Sequence, residues 1–144
     1  MTAVPDLGLR TRTGGSVTFA VRQLGDRRVM VVEVEGEDRG ALRPADGENL
    51  AIAARTARDQ RLPLVCFMAS SGAAIDEGVG AVHGWGTAAR EFVACSGVVP
   101  TIFCVTGPTG SGPALLLGLA DLVVMVDDTY AFVSGPTMVR QFTG

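Results

Sequence analysis

The sequence has no lysine; all twelve of its basic residues are arginine. Schiff-base chemistry and a lysine clamp on phosphate are therefore excluded from this stretch. There is one histidine, His83, and three cysteines, Cys66, Cys95 and Cys104, at unrelated spacings. An odd number of thiols with a lone imidazole gives neither a disulfide framework nor a zinc ligand set. Charged residues are 19% and aromatic residues 6% of the 144 positions, with a formal charge of −3. No basic field exists to attract nucleic acid or an anionic membrane. The opening MTAVPDLGLRTRTGG lacks the apolar centre of a signal peptide. The greasiest stretch, Gly112 to Val126, carries Asp121 and falls short of the roughly 18 apolar residues a membrane span needs.

What is present is apolar mass: 47% hydrophobic residues and a mean hydropathy of +0.33 exclude a disordered segment. A chain of this size buries roughly 70% of its unfolded surface, enough for one unstapled domain. The surplus apolar surface fills a dense core or is covered by a partner. Residues 1–15 mix Pro, Gly and Arg without periodicity and read as a flexible arm; 16–144 read as a single domain. Cys66 and Cys104 lie inside apolar runs and read as buried, reduced thiols of a cytoplasmic protein.

The alternation in SVTFAVRQL (16–24) and the β-branched run RRVMVVEVE (27–35), split by Gly25-Asp26, predict a β-hairpin. GEDRGALRPADG reads as a turn-rich loop, and ENLAIAARTARDQ (48–60) has helical spacing at Leu50, Ala53, Ala54 and Ala57. LPLVCFMA (62–69) and VPTIFCVT (99–106) are continuous apolar runs, the pattern of strands covered on both faces. Between them, 75–94 reads as a helix despite interior glycines, each about 1 kcal/mol worse than Ala unless close backbone packing offsets it. GPTGSG (107–112) reads as a Gly-rich turn, PALLLGLA (113–120) as a short buried helix, 121–128 and 130–133 as strands, and 134–144 as the start of a helix. Strands alternating with helices give an α/β fold around a mostly parallel sheet.

Two places share one design: a buried strand ends, small residues follow, and a helix begins. They are CFMASSGAAIDEG (66–78) and CVTGPTGSGPALL (104–116). Such a junction exposes backbone N–H groups to an anion or to oxygen charge that develops in a reaction; tight strand–helix packing accounts for it equally well. Conventional catalytic sets are missing. Ser70 and Ser71 lack the flanks of a nucleophile elbow, and GPTGSGP lacks the Lys of a P-loop. Asp76 and Glu77 favour a helix N-terminus or serve as a base; Asp127-Asp128 suits a turn better than a metal. Arg55 and Arg58 belong to a solvated helix face or meet a ligand phosphate.

PLVCFMASSGAAIDEG resembles the segment of biotin-dependent carboxyltransferases whose usual form is SGGARxQEG after a buried strand. VPTIFCVTGPTGSGPALLLGLADLVVMVDDTYAFVSGP resembles the segment that follows it there. From the hairpin onward the sequence is similar to the N-terminal crotonase-type half of the carboxyltransferase (beta) subunit of acyl-CoA carboxylases. The resemblance implies a crotonase (ClpP/enoyl-CoA hydratase)-like β-β-α superhelix. It also implies binding of an acyl-CoA thioester whose enolate is stabilised by backbone N–H groups and carboxylated from carboxybiotin. Carried over, the oxyanion donors are Gly72 and Ala73, the opposing turn is Ser111-Gly112, and substrate contacts fall to Ser70, Ser71, Ala74, Gly107, Pro108, Thr109 and Gly110. One such donor is worth about 3 kcal/mol. Ser71 replaces the first Gly of the family's pair, Ala74 its Arg, Asp76 its Gln, and Asn49 a Lys near the start of the first helix.

The family continues into a second half that carries the biotin site. The resemblance thus implies a partner supplying that half, a biotin carboxyl carrier protein, no covalently bound cofactor or metal on this chain, and a homo- or hetero-oligomer. The helix over 78–94 and the segment 134–144 are the expected interface. Two alternatives stay open: another crotonase-type reaction on an acyl thioester, such as decarboxylation, and a non-catalytic assembly subunit of a carboxylase complex.

Overall fold

The alternating segments around Gly25-Asp26 form the expected antiparallel hairpin, β1 (Val17–Leu24) with β2 (Arg27–Val34), Val17 opposite Val34 and Leu24 opposite Arg27. The computed structural model describes residues 15–144, the side chains of Glu37 and Asp38 excepted. The arm expected over 1–15 lies, but for Gly15, outside the described residues. After the hairpin come a one-turn helix α1 (Glu37–Gly40), α2 (Pro44–Asp59), β3 (Leu64–Ser70), a 3-10 turn over Ile75–Glu77 and α3 (Val79–Val93). Then follow β4 (Thr101–Gly110), α4 (Ser111–Leu116), a 3-10 turn over Leu117–Leu119, β5 (Leu122–Met125), β6 (Ala131–Phe132) and α5 (Pro136–Thr143).

One sheet runs β1-β2-β3-β4-β5, with β6 also on β4; every pairing after the hairpin is parallel. This is the α/β, mostly parallel arrangement that the apolar runs predict. Alternation along the strands sends Met30, Val32, Leu64, Cys66, Met68 and Phe103 to the face covered by α2 and α3. There they meet Leu50, Ala53, Ala54 and Ala57 of α2 and Phe92 of α3; the Phe92 and Phe103 rings lie 5.3 Å apart. The other face is barer: Phe67 is exposed, and every residue of β5 is exposed.

Close packing does offset glycine in α3. A methyl group on Gly47 would stand 2.2 Å from the Gly84 carbonyl carbon, so the two helix backbones touch where these glycines face each other. Gly86 is different, with nothing within 4 Å. The same contact is pinned by Glu91 of α3, which accepts from Arg55 (3.3 Å) and Arg58 (3.1 Å) of α2 and from Arg90 (3.4 Å). Burial pushes the Glu91 carboxyl up, but Arg55 and Arg58 more than offset it and hold it below the usual range. Arg55 and Arg58 therefore belong to the helix contact.

Several boundaries differ from those expected. The loop over 36–47 contains α1, and α2 starts at Pro44 because Asp46 accepts from the Arg43 N–H (2.8 Å) and ties the first turn to the Val17 N–H of β1 (2.9 Å). The helix over 75–94 is interrupted at Gly78, whose φ of +56° separates the 3-10 turn from α3. Gly107–Gly110 is no turn: β4 continues through it, because Thr109 pairs with Ser70 on one side and with Ala131 on the other. Cys66 and Cys95 are buried and Cys104 half-buried, all free, and burial pushes each thiol up. No helix among the described residues is long and apolar enough to cross a membrane.

Candidate functional site

The two small-residue segments come together. β3 and β4 are parallel neighbours, so both end at the same edge of the sheet, and Ser70 lies opposite Thr109 across a register shift between Met68 and Ser70. Beyond Ser70 the chain turns at Gly72, whose φ of +118° suits glycine alone. A methyl group there would stand 3.1 Å from the Ser111 Cβ of the opposite turn. Ser111 itself has φ +59° and opens α4. Gly112 packs under the Trp85 indole, where a methyl group would stand 2.8 Å from the ring.

The segment 39–42 zips against the first turn. The Ser71 N–H donates to the Arg39 carbonyl (2.9 Å), the Leu42 N–H to the Gly72 carbonyl (2.8 Å) and the Ala74 N–H to the Leu42 carbonyl (2.9 Å). Between these bonds the Ala73 N–H has no protein acceptor among the described residues. The Gly72 N–H is not free, as the sequence suggests it should be: it donates to Ser70 Oγ at 3.3 Å, a long bond, while that hydroxyl donates to the Gly40 carbonyl at 2.6 Å. Neither donor stands at a helix start, since α3 begins only at Val79.

A cavity of about 450 Å³ opens beside these turns. Of the residues expected at the site, Ser70, Ser71, Pro108, Thr109 and Gly110 line it; Gly72, Ala73, Ser111 and Gly112, expected as the oxyanion donors and the opposing turn, are not among its lining residues. Ala74 is buried, and Gly107 is wedged against Ala69, 3.0 Å from where its Cβ would be. Ser70 and Thr109 are almost wholly buried, and the Thr109 hydroxyl is turned toward the Gly107 carbonyl at 3.1 Å. Asn49 is buried as well and donates to the Val17 carbonyl at 3.3 Å. Asp76 and Glu77 face Arg43, at 3.6 and 2.8 Å, away from the cavity lining.

Sequence reasoning missed four lining residues: Glu35, Arg39, Tyr130 and Phe132. The Tyr130 and Phe132 rings stack 5.3 Å apart and 5° from parallel, giving the cavity an aromatic wall. Arg39 has φ +56°, the left-handed region that a residue with a side chain adopts uncommonly and that Arg61 shares at φ +53°. An Arg beside glycines before a helix, and aromatic residues two apart in a short strand, are the signals that could have found them. Chemically, the arrangement offers an apolar-walled cavity, one charge of each sign, and a turn with an available backbone donor at its side.

The carboxyl transferase domain family matches residues 20–144. The propionyl-CoA carboxylase beta chain of Rhodococcus erythropolis is 33% identical over 99% of the chain and 30% of that protein. A biotin-dependent acetyl-/propionyl-coenzyme A carboxylase beta6 subunit of Mycobacterium tuberculosis is 31% identical over 94% of the chain and 29% of that protein. Among solved structures, the transcarboxylase 12S core superposes with a TM-score of 0.84 at 24% identity, over 99% of the chain and 30% of its own. A Pseudomonas malonate decarboxylase hetero-dimer gives 0.83 at 18% identity, over 94% and 63%. The chain thus spans about 30% of the length of these curated relatives.

Proposed function

The chain belongs to the carboxyl transferase domain family, and from that premise we propose that it forms the acyl-thioester half-site of a biotin-dependent acyl-CoA carboxyltransferase. Its fold is the crotonase-like α/β fold of its structural neighbours. The observation that supports the reading is the meeting of the Gly72 and Ser111 turns, next in sequence to the cavity-lining Ser71 and Gly110, with the Ala73 N–H lacking an acceptor among the described residues.

Removing a proton from the α-carbon of an acyl thioester moves negative charge onto the thioester oxygen. A backbone donor fixed near that oxygen stabilises the enolate more than the ground state, by about 3 kcal/mol. Ala73 is the principal donor; Gly72 joins it by leaving the long bond to Ser70. Pro108, Tyr130 and Phe132 supply an apolar wall that keeps water from the acyl group.

Carboxybiotin, when delivered by a biotin carboxyl carrier protein, supplies the carboxyl group. No lysine exists in this stretch to carry biotin covalently, so the cofactor arrives from outside it. The second carboxyltransferase half, with its biotin site, is the proposed partner in a homo- or hetero-oligomer. The exposed side chains of α3 (Val79, Val82) and of the C-terminal segment (Met138, Phe142), with those of β5, support such a covered face. Half-buried or buried reduced thiols suit the cytoplasm.

The test is titration calorimetry of the chain with propionyl-CoA and with a thioether analogue lacking the carbonyl oxygen. The thioester should bind about tenfold tighter, since only it meets the donor. Equal affinities overturn the oxyanion reading. Malonyl-CoA decarboxylation by the chain without biotin would replace carboxyl transfer by the decarboxylase alternative.

A further inference from the structure

We propose that Ser70 is a positioning residue that holds the Gly72 N–H in reserve, so that an acyl thioester displaces its hydroxyl to gain the second donor; this rests on the acyl-thioester reading above. Ser70 is wholly buried and lies in the cavity wall together with Gly40, Ala69 and Ser71. Its hydroxyl donates to the Gly40 carbonyl at 2.6 Å and accepts from the Gly72 N–H at 3.3 Å. Gly40 is pressed against β3: its φ is +70°, and a methyl group on it would run into the Ala69 carbonyl oxygen. The short bond to this immobile carbonyl fixes the hydroxyl. The Gly72 N–H reaches it only just beyond the usual hydrogen-bond range.

The turn itself is held by other bonds. The Ser71 N–H, the Gly72 carbonyl and the Ala74 N–H are all tied to 39–42 at 2.8–2.9 Å, and none of these bonds uses the Gly72 N–H. That group therefore changes partner without the backbone leaving its place. Gly72 is buried, and a buried amide left without an acceptor is costly, so Ser70 serves it while the site is empty. Ala73 is only half-buried, and its N–H has no such clip among the described residues. A brace and a reserve predict opposite signs. Loss of a hydroxyl that only braces the turn weakens thioester and thioether alike. Loss of one that holds a donor back strengthens binding of the thioester alone, although the protein becomes less stable.

The experiment measures dissociation constants of propionyl-CoA and its thioether analogue for the full chain, for Ser70→Ala and for Ser70→Cys. Sulfur is a weak acceptor, so the cysteine variant tests the same point with the place filled, and it serves if the alanine variant does not fold. Thermal melts identify the folded proteins. The preference for thioester over thioether should rise about threefold from wild type to either variant. Without ligand, hydrogen exchange at the Gly72 amide should quicken in the variants while that at Ala73 stays the same. An unchanged or smaller preference overturns the proposal. So does Gly72 exchange at the wild-type rate, because the hydroxyl then does not hold that N–H. If the folded wild type binds thioester and thioether equally, the acyl-thioester reading itself fails, and this inference with it.

Discussion

Ser70 and Gly72 are joined by a hydrogen bond in which the Gly72 N–H donates to Ser70 Oγ at 3.3 Å, and the same hydroxyl donates to the Gly40 carbonyl at 2.6 Å. One buried serine thus couples the cavity's rim at 39–42 to the turn that presents Ala73. Ser70→Ala leaves the Gly40 carbonyl without its donor in a buried place and should lower stability by about 1–2 kcal/mol. Urea unfolding of the two proteins checks it, and an unaltered midpoint argues that the clip is not formed.

Two glycines in the helix layer should respond in opposite directions. Gly47→Ala drives a methyl group to 2.2 Å from the Gly84 backbone and should destabilise by about 1–3 kcal/mol, or more where the helices cannot separate. Gly86→Ala meets nothing within 4 Å in the interior of α3 and should stabilise by about 0.8 kcal/mol through helix propensity. Thermal melts of both variants decide it; the same sign for both contradicts the packing described.

Glu91 makes stability depend on acid. Its carboxyl is held below the usual glutamate range by Arg55 and Arg58 in spite of burial, so the folded state favours the ionised form. The contribution is fully present above the unfolded value of about 4.3 and is lost as pH falls through the lower folded value. Glu91→Gln should therefore cost on the order of 1 kcal/mol at neutral pH, and the difference should vanish in acid. Denaturation curves across that range check the sign; a gap that widens in acid refutes it.

The strands and their parallel order were readable because β3 and β4 are unbroken apolar runs, and buried parallel strands need apolar residues on both faces. The meeting of the 70–74 and 110–112 segments follows from that order alone. The start of α2 was misjudged because Gly47 looks like a breaker, whereas its missing side chain serves the contact with Gly84. Gly107–Gly110 looked like a turn because extended glycines in a strand are recognisable only once β6, twenty residues on, pairs with them. Arg39, Glu35, Tyr130 and Phe132 escaped for a related reason: the cavity joins parts of the chain that no local pattern links. The positive φ at Gly72 was also invisible, and it makes Gly72→Pro a disruption of the turn and no clean deletion of a donor.

The central claim is that the Ala73 N–H, with Gly72 beside it, meets the oxygen of an acyl thioester. The most direct measurement follows the backbone amide resonances of Gly72 and Ala73 in the nitrogen-15-labelled chain during titration with propionyl-CoA, with its thioether analogue, and with free coenzyme A. A new hydrogen bond to the carbonyl oxygen should move the Ala73 proton downfield with the thioester only, and Gly72 should follow as it exchanges Ser70 for the ligand. Identical responses to thioester and thioether, or an Ala73 amide that does not move while the thioester binds, contradict it.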